Sequence, residues 1–388
     1  MSELAVAMMS HLASPHAPTG AERSLVVLAN GLAARKHRVA VTAPGPSAFE
    51  SLLAASVPFT RIPCRMAWLS HFEHDRLWRV AAKFLRFTAP DRGPAQLEQW
   101  IRGVWPDVVH VNCLPHVKGA RAARKAGYPV VWHIREILPE GRRRGWFAKQ
   151  LSLSANAVVA VSEAVASWLK DEGLGPMLSV IPNGVEPPVS PKPREAARRI
   201  LGLPVDGVIA GLFGQVLPHK GILEAIEAVA EARKTAPTLR LVVAGHGPLD
   251  FLAEADTLAE RRGLRDAYRR LPGLADPSDL FAASDMILLA TKTPDPFPRA
   301  VLEAMAWGRP VAAFRSGGAG EMIEDGQTGF IVDNGDIPGF AAAIARLAND
   351  QGLRDLFGAA GRTRARLNFS IDAHVTKMEE VYRAVVKR

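Results

Sequence analysis

Two carboxylates eight residues apart, Asp295 and Glu303, carry the strongest chemical signal in this sequence. Residues 286–291 predict a buried strand, residues 293–298 a turn, and the alanine-rich stretch after the turn a helix. At 1.5 Å per helical residue the carboxylates lie about 12 Å apart, farther than the about 5–9.5 Å of a glycosidase acid/base pair. We therefore expect each acid to hold a different part of one long ligand. The alternative is an ordinary exposed helix with an aspartate at its start.

The elements that position this pair belong to a repeating pattern of strands and helices. Apolar strands are predicted at PDVVHVN, YPVVWHI and NAVVAVS, and again at GVIAGLFG, LRLVVAG, SDMILLAT and RPVAAF. Such alternation is typical of parallel α/β sheets. Four prolines in residues 186–195 indicate a linker. We predict an α/β protein with two Rossmann-like domains, residues 1–188 and 189–369, and a C-terminal helix in residues 370–388.

Composition agrees with a two-domain globular protein. The 388 residues, 48% of them hydrophobic, are enough for two cores. No apolar run approaches the about 18 residues expected of a transmembrane helix. The apolar start LAVAMM lacks a basic region and predicts a first strand rather than a signal peptide. The only cysteines, Cys64 and Cys113, indicate neither a disulfide framework nor a zinc site. A cytoplasmic location is expected.

Positive charge is concentrated in the first half of the chain. Residues 1–185 hold 22 Lys and Arg against 13 Asp and Glu, whereas residues 186–388 hold 26 of each. A basic half beside a neutral half favours an anionic partner. Two segments carry the charge beside aromatic residues: Arg76, Arg79, Lys83 and Arg86 recur at helical spacing, and Arg142, Arg143 and Arg144 are consecutive. They predict contact with an anionic membrane surface, or else helices whose apolar faces pack on the core. No nucleic-acid motif accompanies them, and no nucleic-acid partner is expected.

The segment around the carboxylate pair resembles the E-x7-E signature of the retaining GT-B glycosyltransferases of family 4, E-P-F-G-x-x-x-x-E-A-M-A-x-G-x-P-V. Other landmarks stand in the family's order: Thr19-Gly20-Ala21-Glu22, His133-Ile134-Arg135-Glu136, Val161-Ser162-Glu163, Ile181-Pro182-Asn183-Gly184-Val185, Gly214-Gln215 to Lys220-Gly221, Ala244-Gly245-His246-Gly247-Pro248, and Gly317-Gly318 with Glu321. The resemblance covers nearly the whole chain. It implies two Rossmann-like domains facing across a cleft, the first for the acceptor and the second for a nucleotide sugar, with the last helix returning to the first domain.

The resemblance also implies roles for individual residues. Lys220 is expected to bind the donor diphosphate, because a lysine at a helix start is unfavourable unless an anion is present. Glu303 is expected to accept hydrogen bonds from the ribose hydroxyls, and Asp295 to position the sugar and stabilise an oxocarbenium-like transition state. His133 is expected to contact the donor sugar without acting as a general base. The remaining donor-binding candidates are Gly20, Gln215, Gly273, Leu274, Phe297, Arg299, Gly318 and Glu321. For Gly273, Leu274 and the Gly317-Gly318 loop, ordinary turns are the alternative.

Three positions depart from the family pattern. Gln215 stands where the family often has an arginine, Asp295 replaces a glutamate, and Pro298 replaces a glycine and so lacks an N–H. We expect a retaining glycosyltransferase that acts on a cell-envelope or polysaccharide acceptor, including lipid-linked acceptors. The protein is expected in the cytoplasm, either free or bound peripherally to the inner face of the cytoplasmic membrane.

No cofactor or metal is expected, because no Asp-x-Asp motif occurs. One alternative is a catalytically degenerate sugar-nucleotide-binding or membrane-docking protein. A sugar-nucleotide epimerase is a second alternative. A nicotinamide-dependent dehydrogenase is disfavoured, because Gly245-His246-Gly247 lacks the third glycine of that fingerprint.

Overall fold

The computed structural model describes residues 2–15, 18–67, 77–274 and 276–387, and for residues 77–80 it describes the backbone alone. The chain divides into two compact units. The first unit comprises Met1–Gly184 and Ile371–Arg388, and the second comprises Val185–Ser370. Each unit is built around its own parallel sheet.

The sheet of the first unit follows the order β3-β2-β1-β4-β5-β6-β7, with every pairing parallel. Its strands are β1 (Ala5–Met9), β2 (Arg38–Ala43), β3 (Phe59–Arg61), β4 (Val108–Asn112), β5 (Val130–Ile134), β6 (Ala157–Ala160) and β7 (Leu178–Val180). The central strands are fully buried runs such as AVAMM and VVWHI. Strands covered by helices on both faces need apolar residues throughout, and the sequence supplies them.

The helices of the first unit are α1 (Gly20–Ala34), α2 (Leu77–Thr88), α3 (Gly93–Val104), α4 (Val117–Lys125), α5 (Arg142–Ser154), α6 (Glu163–Asp171) and, from the end of the chain, α15 (Ile371–Val386). Helix α15 buries Val375, Met378 and Tyr382 in the core that also contains β1 and α1. Helix α1 begins with a capping box, in which Thr19 and Glu22 each accept a hydrogen bond from the other's backbone.

The sheet of the second unit follows the order β10-β9-β8-β11-β12-β13, again with parallel pairings. Its strands are β8 (Val208–Phe213), β9 (Leu239–Ala244), β10 (Tyr268–Leu271), β11 (Met286–Leu289), β12 (Val311–Phe314) and β13 (Gly329–Val332). The order reverses between β8 and β11. Open α/β sheets bind ligands at such a reversal, beyond the carboxyl ends of the strands.

The helices of the second unit are α7 (Arg194–Ile200), α8 (Ile222–Ala232), α9 (Leu249–Arg261), α10 (Ser278–Ala283), α11 (Arg299–Ala306), α12 (Ala319–Met322), α13 (Ile337–Asn349) and α14 (Gln351–Asn368). Two parallel sheets with alternating helices confirm the predicted α/β class. Among the described helices, none is both long enough and apolar enough to cross a bilayer.

Candidate functional site

Four strands of the second unit deliver predicted site residues from their carboxyl ends. Gln215 follows β8, Gly273 and Leu274 follow β10, Asp295 follows β11, and Gly318 follows β12, while His246 follows β9 between them. Since all these strands are parallel, their carboxyl ends lie along one edge of the sheet. The sequence landmarks are therefore gathered where this fold class binds ligands.

Lys220 and Asp295 form an ion pair at the reversal of strand order. Lys220 ends a 3-10 turn, Pro218–Lys220, and its Nζ lies 2.9 Å from Asp295 Oδ2. The next residue, Gly221, has a φ of +72°, and a Cβ there would collide with the Ala290 carbonyl oxygen. Only glycine meets both conditions, so the turn is pressed against the end of β11. The lysine predicted to bind phosphate is held beside the acid predicted to position the sugar.

The loop that carries Asp295 is fixed through its own backbone. The Lys292 N–H donates to the His219 carbonyl at 2.8 Å. On the other side, Ser316 Oγ donates to the Thr293 carbonyl at 2.7 Å, and the Gly318 N–H donates to the Asp295 carbonyl at 2.8 Å. With both sides of the loop bonded, the Asp295 carboxylate is presented from a rigid support.

Glu303 has a cation of its own. Helix α11 begins at Arg299, and Arg299 Nε lies 2.8 Å from Glu303 Oε1, with both side chains largely buried. The two acids of the E-x7-E spacing thus contact different cations, Asp295 with Lys220 and Glu303 with Arg299. Each carboxylate is neutralised within the protein.

His133 of the first unit is fully buried in β5, one residue before the strand ends. Its ring lies 5.4 Å from that of His110 and 6.2 Å from that of His374, and Arg135 Nη2 approaches its Nδ1 at 3.4 Å. Burial, reinforced by the Arg135 charge, holds the pKa of His133 well below its ordinary value. The imidazole is therefore neutral. Its Nε2 is buried and meets no hydrogen-bonding partner among the described residues.

Gly20, one of the donor-binding candidates, is the first residue of α1. Its neighbour Glu22 is buried and accepts hydrogen bonds from the Ser14 N–H at 3.0 Å, the Thr19 N–H at 2.8 Å and Ser47 Oγ at 3.1 Å. Glu22 thereby fixes Ser14 and Thr19 of the segment between β1 and α1, and Gly20 is presented at the start of the helix.

Comparisons with known proteins decide the family. Residues 18–188 match the family "Glycosyltransferase Family 4", and residues 193–364 match "Glycosyl transferases group 1". A glycogen synthase of Mycobacterium tuberculosis is 32% identical over 298 residues, which cover 72% of this chain and 69% of that protein. The chain is a GT-B glycosyltransferase of family 4.

Other family members and solved structures are similar over different shares of their length. The D-inositol 3-phosphate glycosyltransferase of Acidothermus cellulolyticus is 32% identical over 275 residues, 64% of this chain and 61% of that enzyme. The chain therefore spans less than two thirds of that relative. The crystal structure of Anabaena HepE in complex with UDP and glucose superposes with a TM-score of 0.82 at 23% identity, covering 98% of this chain and 100% of HepE. That likeness shows the GT-B fold.

Within this family 4 glycosyltransferase, the Gly317-Gly318 loop supports the acid loop. A Cβ on Gly317 would collide with the Asp295 carbonyl oxygen, and one on Gly318 with the Pro296 carbonyl oxygen. The Gly318 amide is already bonded to Asp295. The Gly318 backbone therefore holds Asp295 in place, and its expected contact with the donor stays a prediction.

Phe297 supports the loop through its ring. Its side chain is buried and packs edge-on against Phe369 at 5.6 Å between ring centroids. Its predicted contact with the donor stays a prediction. Glu321 lies in the first turn of α12, where its carbonyl accepts a hydrogen bond from Arg364 Nη2 at 2.9 Å.

Histidines near the site were not selected from the sequence. His219 shares the turn of Lys220, and partial desolvation of its ring together with the charges of Lys220 and Lys292 lowers its pKa. His246 packs so closely on Gly273 that a Cβ there would strike its ring. The sequence feature that could have pointed to His219 is its position next to Lys220. Leu274 is partly buried against the core of the second unit.

The basic segments of the first unit are adjacent, but their arginines are not equivalent. Phe87 of α2 packs edge-on against Trp146 of α5 at 6.0 Å. Arg144, 7% exposed, pairs with Asp171 and Glu172 at 2.9 Å each, so its predicted contact with a membrane is wrong. Of the other cations, Arg86 and Arg142 are exposed, Lys83 and Arg143 are half-buried, the Arg79 side chain is not described, and Arg76 lies outside the described residues.

Metal and thiol chemistry have little support within the residues that are described. No group of three or more His, Cys, Asp or Glu side chains there is arranged to hold a metal ion. Cys64 and Cys113 are free thiols, and burial raises the pKa of Cys64 to about 12. The expectation of a donor site without metal or cofactor stays a prediction.

Proposed function

We propose that this protein is a retaining glycosyltransferase that moves a sugar from a nucleotide diphosphate to a cell-envelope or polysaccharide acceptor. The observation that carries the proposal is the Lys220–Asp295 ion pair, held at 2.9 Å in the segments that follow β8 and β11, where the strand order reverses. A lysine beside a glycine turn and a helix start is suited to a diphosphate. A carboxylate next to it can orient sugar hydroxyls.

In the proposed reaction, the bond between the anomeric carbon and the diphosphate oxygen breaks while Lys220 offsets the charge that grows on the leaving group. The acceptor hydroxyl oxygen bonds to the anomeric carbon from the same face. Its proton passes to the departing diphosphate oxygen. Asp295 stabilises the positive charge of the oxocarbenium-like transition state. His133 is neutral but fully buried, so its proposed contact with the sugar is a hydrogen bond that requires its Nε2 to be uncovered when the donor binds.

UDP-glucose is the first donor to test. HepE has been solved in complex with UDP and with UDP-glucose, and the relatives include D-inositol 3-phosphate glycosyltransferases and glycogen synthases. These names support a nucleotide sugar as the donor here. For the acceptor we propose a glycan or lipid-linked glycan, on the family resemblance.

Saturation-transfer NMR with UDP-, GDP-, ADP- and TDP-sugars tests the donor site. We expect one donor to bind the wild type and to lose binding in Lys220→Ala and in Glu303→Ala. Lys234→Ala is the matched control, since Lys234 is an exposed lysine of the same unit paired only with Glu231. Binding that survives in Lys220→Ala would contradict the proposed diphosphate site.

A donor-binding protein without transferase activity is the alternative, favoured by Gln215, Asp295 and Pro298 at the positions where the family differs. An assay of donor hydrolysis or transfer, which detects release of the free nucleotide diphosphate, distinguishes a transferase from a protein that only binds the donor. Release that disappears in Asp295→Asn supports transfer. Tight donor binding without release supports the alternative.

We also propose that α2 and α5 dock on an anionic membrane surface. Phe84 and Leu85 are 44% and 69% exposed, beside exposed Arg86. Arg142 is exposed at the start of α5, the helix whose Trp146 contacts Phe87. Exposed apolar side chains flanked by cations fit a surface of acidic headgroups, whereas a neutral surface would not use the charge.

Co-sedimentation with phosphatidylcholine vesicles, with and without phosphatidylglycerol, tests this docking. We expect binding only with phosphatidylglycerol, weakened in Leu85→Ser and in Arg142→Ala. The matched control is Leu356→Ser, which removes an equally exposed leucine from α14. Equal binding by Leu85→Ser and the wild type would contradict membrane docking.

A further inference from the structure

Arg299 occupies a position that is unfavourable for a cation. It is the first residue of the eight-residue helix α11, where the helix dipole presents its positive end. Its side chain is only 17% exposed. The preceding Pro298 provides no side-chain cap and has no N–H. Burial and the dipole both disfavour a guanidinium at this point, so its presence calls for an anion.

The hydrogen bonding of Arg299 is incomplete. Its Nε and Nη1 are buried, and neither makes a hydrogen bond within the described part of the chain. Glu303 Oε1 lies 2.8 Å from Nε and supplies charge, but the pair lacks the geometry of a hydrogen bond. Arginine has five donors in a planar fork that matches the oxygens of a phosphate. These two donors could therefore bind a phosphate oxygen, because Glu303 supplies a negative charge beside them but no hydrogen bond to them.

Arg299 follows four residues after Asp295, the partner of Lys220. The segment therefore holds two cations, each neutralised by one acid. Gln215, at the exposed end of β8, is uncharged. A ligand with two negative phosphates could take both cations, and the two acids would then be released to accept hydrogen bonds from hydroxyl groups.

We propose that the Arg299 side chain is the second phosphate-binding cation of this site and that it exchanges Glu303 for a phosphate oxygen when a nucleoside diphosphate binds. The exchange frees Glu303 for the ribose hydroxyls. This inference rests on the proposed function, because it assigns the anion to the donor. It predicts that a nucleoside without phosphates binds weakly, since it cannot replace either carboxylate.

Isothermal titration calorimetry with inorganic pyrophosphate, UDP and uridine tests the exchange. We expect Arg299→Gln and Lys220→Met each to weaken pyrophosphate binding about tenfold or more, the loss of one charge-assisted hydrogen bond. Glu303→Gln should bind pyrophosphate at least as tightly as the wild type and bind UDP more weakly. Arg315→Gln, which alters an exposed arginine after β12, is the control and should change neither.

The outcomes separate this inference from the proposed function. Unchanged pyrophosphate binding in Arg299→Gln, together with a loss in Lys220→Met, overturns the role of Arg299 and leaves the donor site intact. No binding of pyrophosphate or UDP to the wild type overturns both. If Arg299→Gln loses glucose 1-phosphate but keeps pyrophosphate, the cation serves a phosphorylated acceptor and the inference is wrong. Arg299→Lys keeps the charge with fewer donors, so if Arg299→Gln misfolds, pyrophosphate affinity below wild type in folded Arg299→Lys supports the inference and wild-type affinity overturns it.

Discussion

Gly317 determines whether Asp295 can take its position. Its φ is +53°, and a Cβ would collide with the Asp295 carbonyl oxygen. Gly317→Ala must therefore move the acid loop as well as strain its own backbone, which costs about 1–3 kcal/mol. We expect kcat to fall by about tenfold or more while KM for the donor changes less, because the diphosphate still finds Lys220.

Gly320→Ala is the control for Gly317→Ala. Gly320 lies in α12, has open space around its Cβ position and an ordinary φ. Kinetics and a thermal melt of both variants provide the comparison. Equal activity of the two variants would mean that the glycine loop does not set the position of Asp295.

The three consecutive arginines show what a sequence pattern can miss. Arg142, Arg143 and Arg144 are identical in type, yet Arg144 alone among them is buried, and it pairs with Asp171 and Glu172. Its partners, Asp171 and Glu172, lie 27 and 28 residues later at the end of α6. A local pattern contains no information about that contact. The charge of the segment was predictable, whereas the choice of the arginine facing inward was not.

Arg144→Ala is expected to destabilise the first unit by about 1–3 kcal/mol, because it removes the hydrogen bond to Asp171, the ion pair with Glu172 and the packing of the arginine stem. Urea unfolding followed by tryptophan fluorescence measures the effect. Seven of the eight tryptophans precede residue 185, so the signal reports mainly on this unit. Arg142→Ala, which alters an exposed neighbour, should change stability by less than about 0.5 kcal/mol. A similar loss in both variants would contradict the buried pair.

At the level of elements, helix α15 brings a hydroxyl to a buried histidine. Tyr382 OH lies 2.8 Å from His110 Nδ1, and both side chains are buried. Tyr382→Phe leaves that nitrogen without its partner, which costs about 1–3 kcal/mol. We expect a corresponding decrease in the free energy of unfolding of the first unit.

Val386→Ala changes an exposed residue at the end of the same helix and is the control for Tyr382→Phe. The same urea titration compares the two variants. If Tyr382→Phe unfolds at the wild-type urea concentration, the hydroxyl contributes nothing and α15 is held by its apolar face alone.

Element types and several boundaries followed from the sequence. A helix begins just after Lys220, as α8 at Ile222–Ala232, and the alanine-rich stretch after the turn forms α11 from Arg299. The strand predicted for residues 286–291 ends at Leu289, where its pairing with β12 ends. Thr291 then donates its hydroxyl to the His219 carbonyl at 3.2 Å. A buried apolar run thus predicts the strand but not the point where a loop replaces the ladder.

His133 illustrates the limit at the scale of the whole molecule. The sequence placed it at a strand end, where side chains commonly meet ligands. In the structure it is covered by α15, whose His374 ring lies 6.2 Å away although the two residues are separated by 241 positions. The sequence around His133 contains no information about this packing against α15, nor about the burial that keeps the imidazole neutral.

Buried histidines and a buried glutamate make the stability of the first unit depend on pH in opposite directions. Burial lowers the pKa of His110 and of His133 well below the ordinary value, and that of His116 to about 4. Since the unfolded chain binds their protons first, the stability they contribute is present above about pH 6.5 and is lost as the pH falls below it. Glu136 acts in the other direction, because burial raises its pKa to about 7. Its contribution is present below about pH 4.5 and is lost as the pH rises through 7.

Glu136→Gln isolates the second effect. The carboxyl accepts the Arg135 N–H at 3.0 Å and the Leu114 N–H at 3.2 Å, and an amide can keep one of these bonds. The free-energy cost of the lost hydrogen bond is the same at every pH. The cost of ionising the buried wild-type carboxyl, in contrast, grows as the pH rises. Relative to wild type, the variant should therefore gain up to about 3 kcal/mol between about pH 5 and pH 8, from a shift of about 2.5 pKa units. Urea titrations of both proteins at the two pH values measure this gain in the free energy of unfolding. The same difference between variant and wild type at both pH values would mean that Glu136 is ionised throughout. The predicted gain would show that the Glu136 carboxyl holds a proton at the carboxyl ends of β4 and β5.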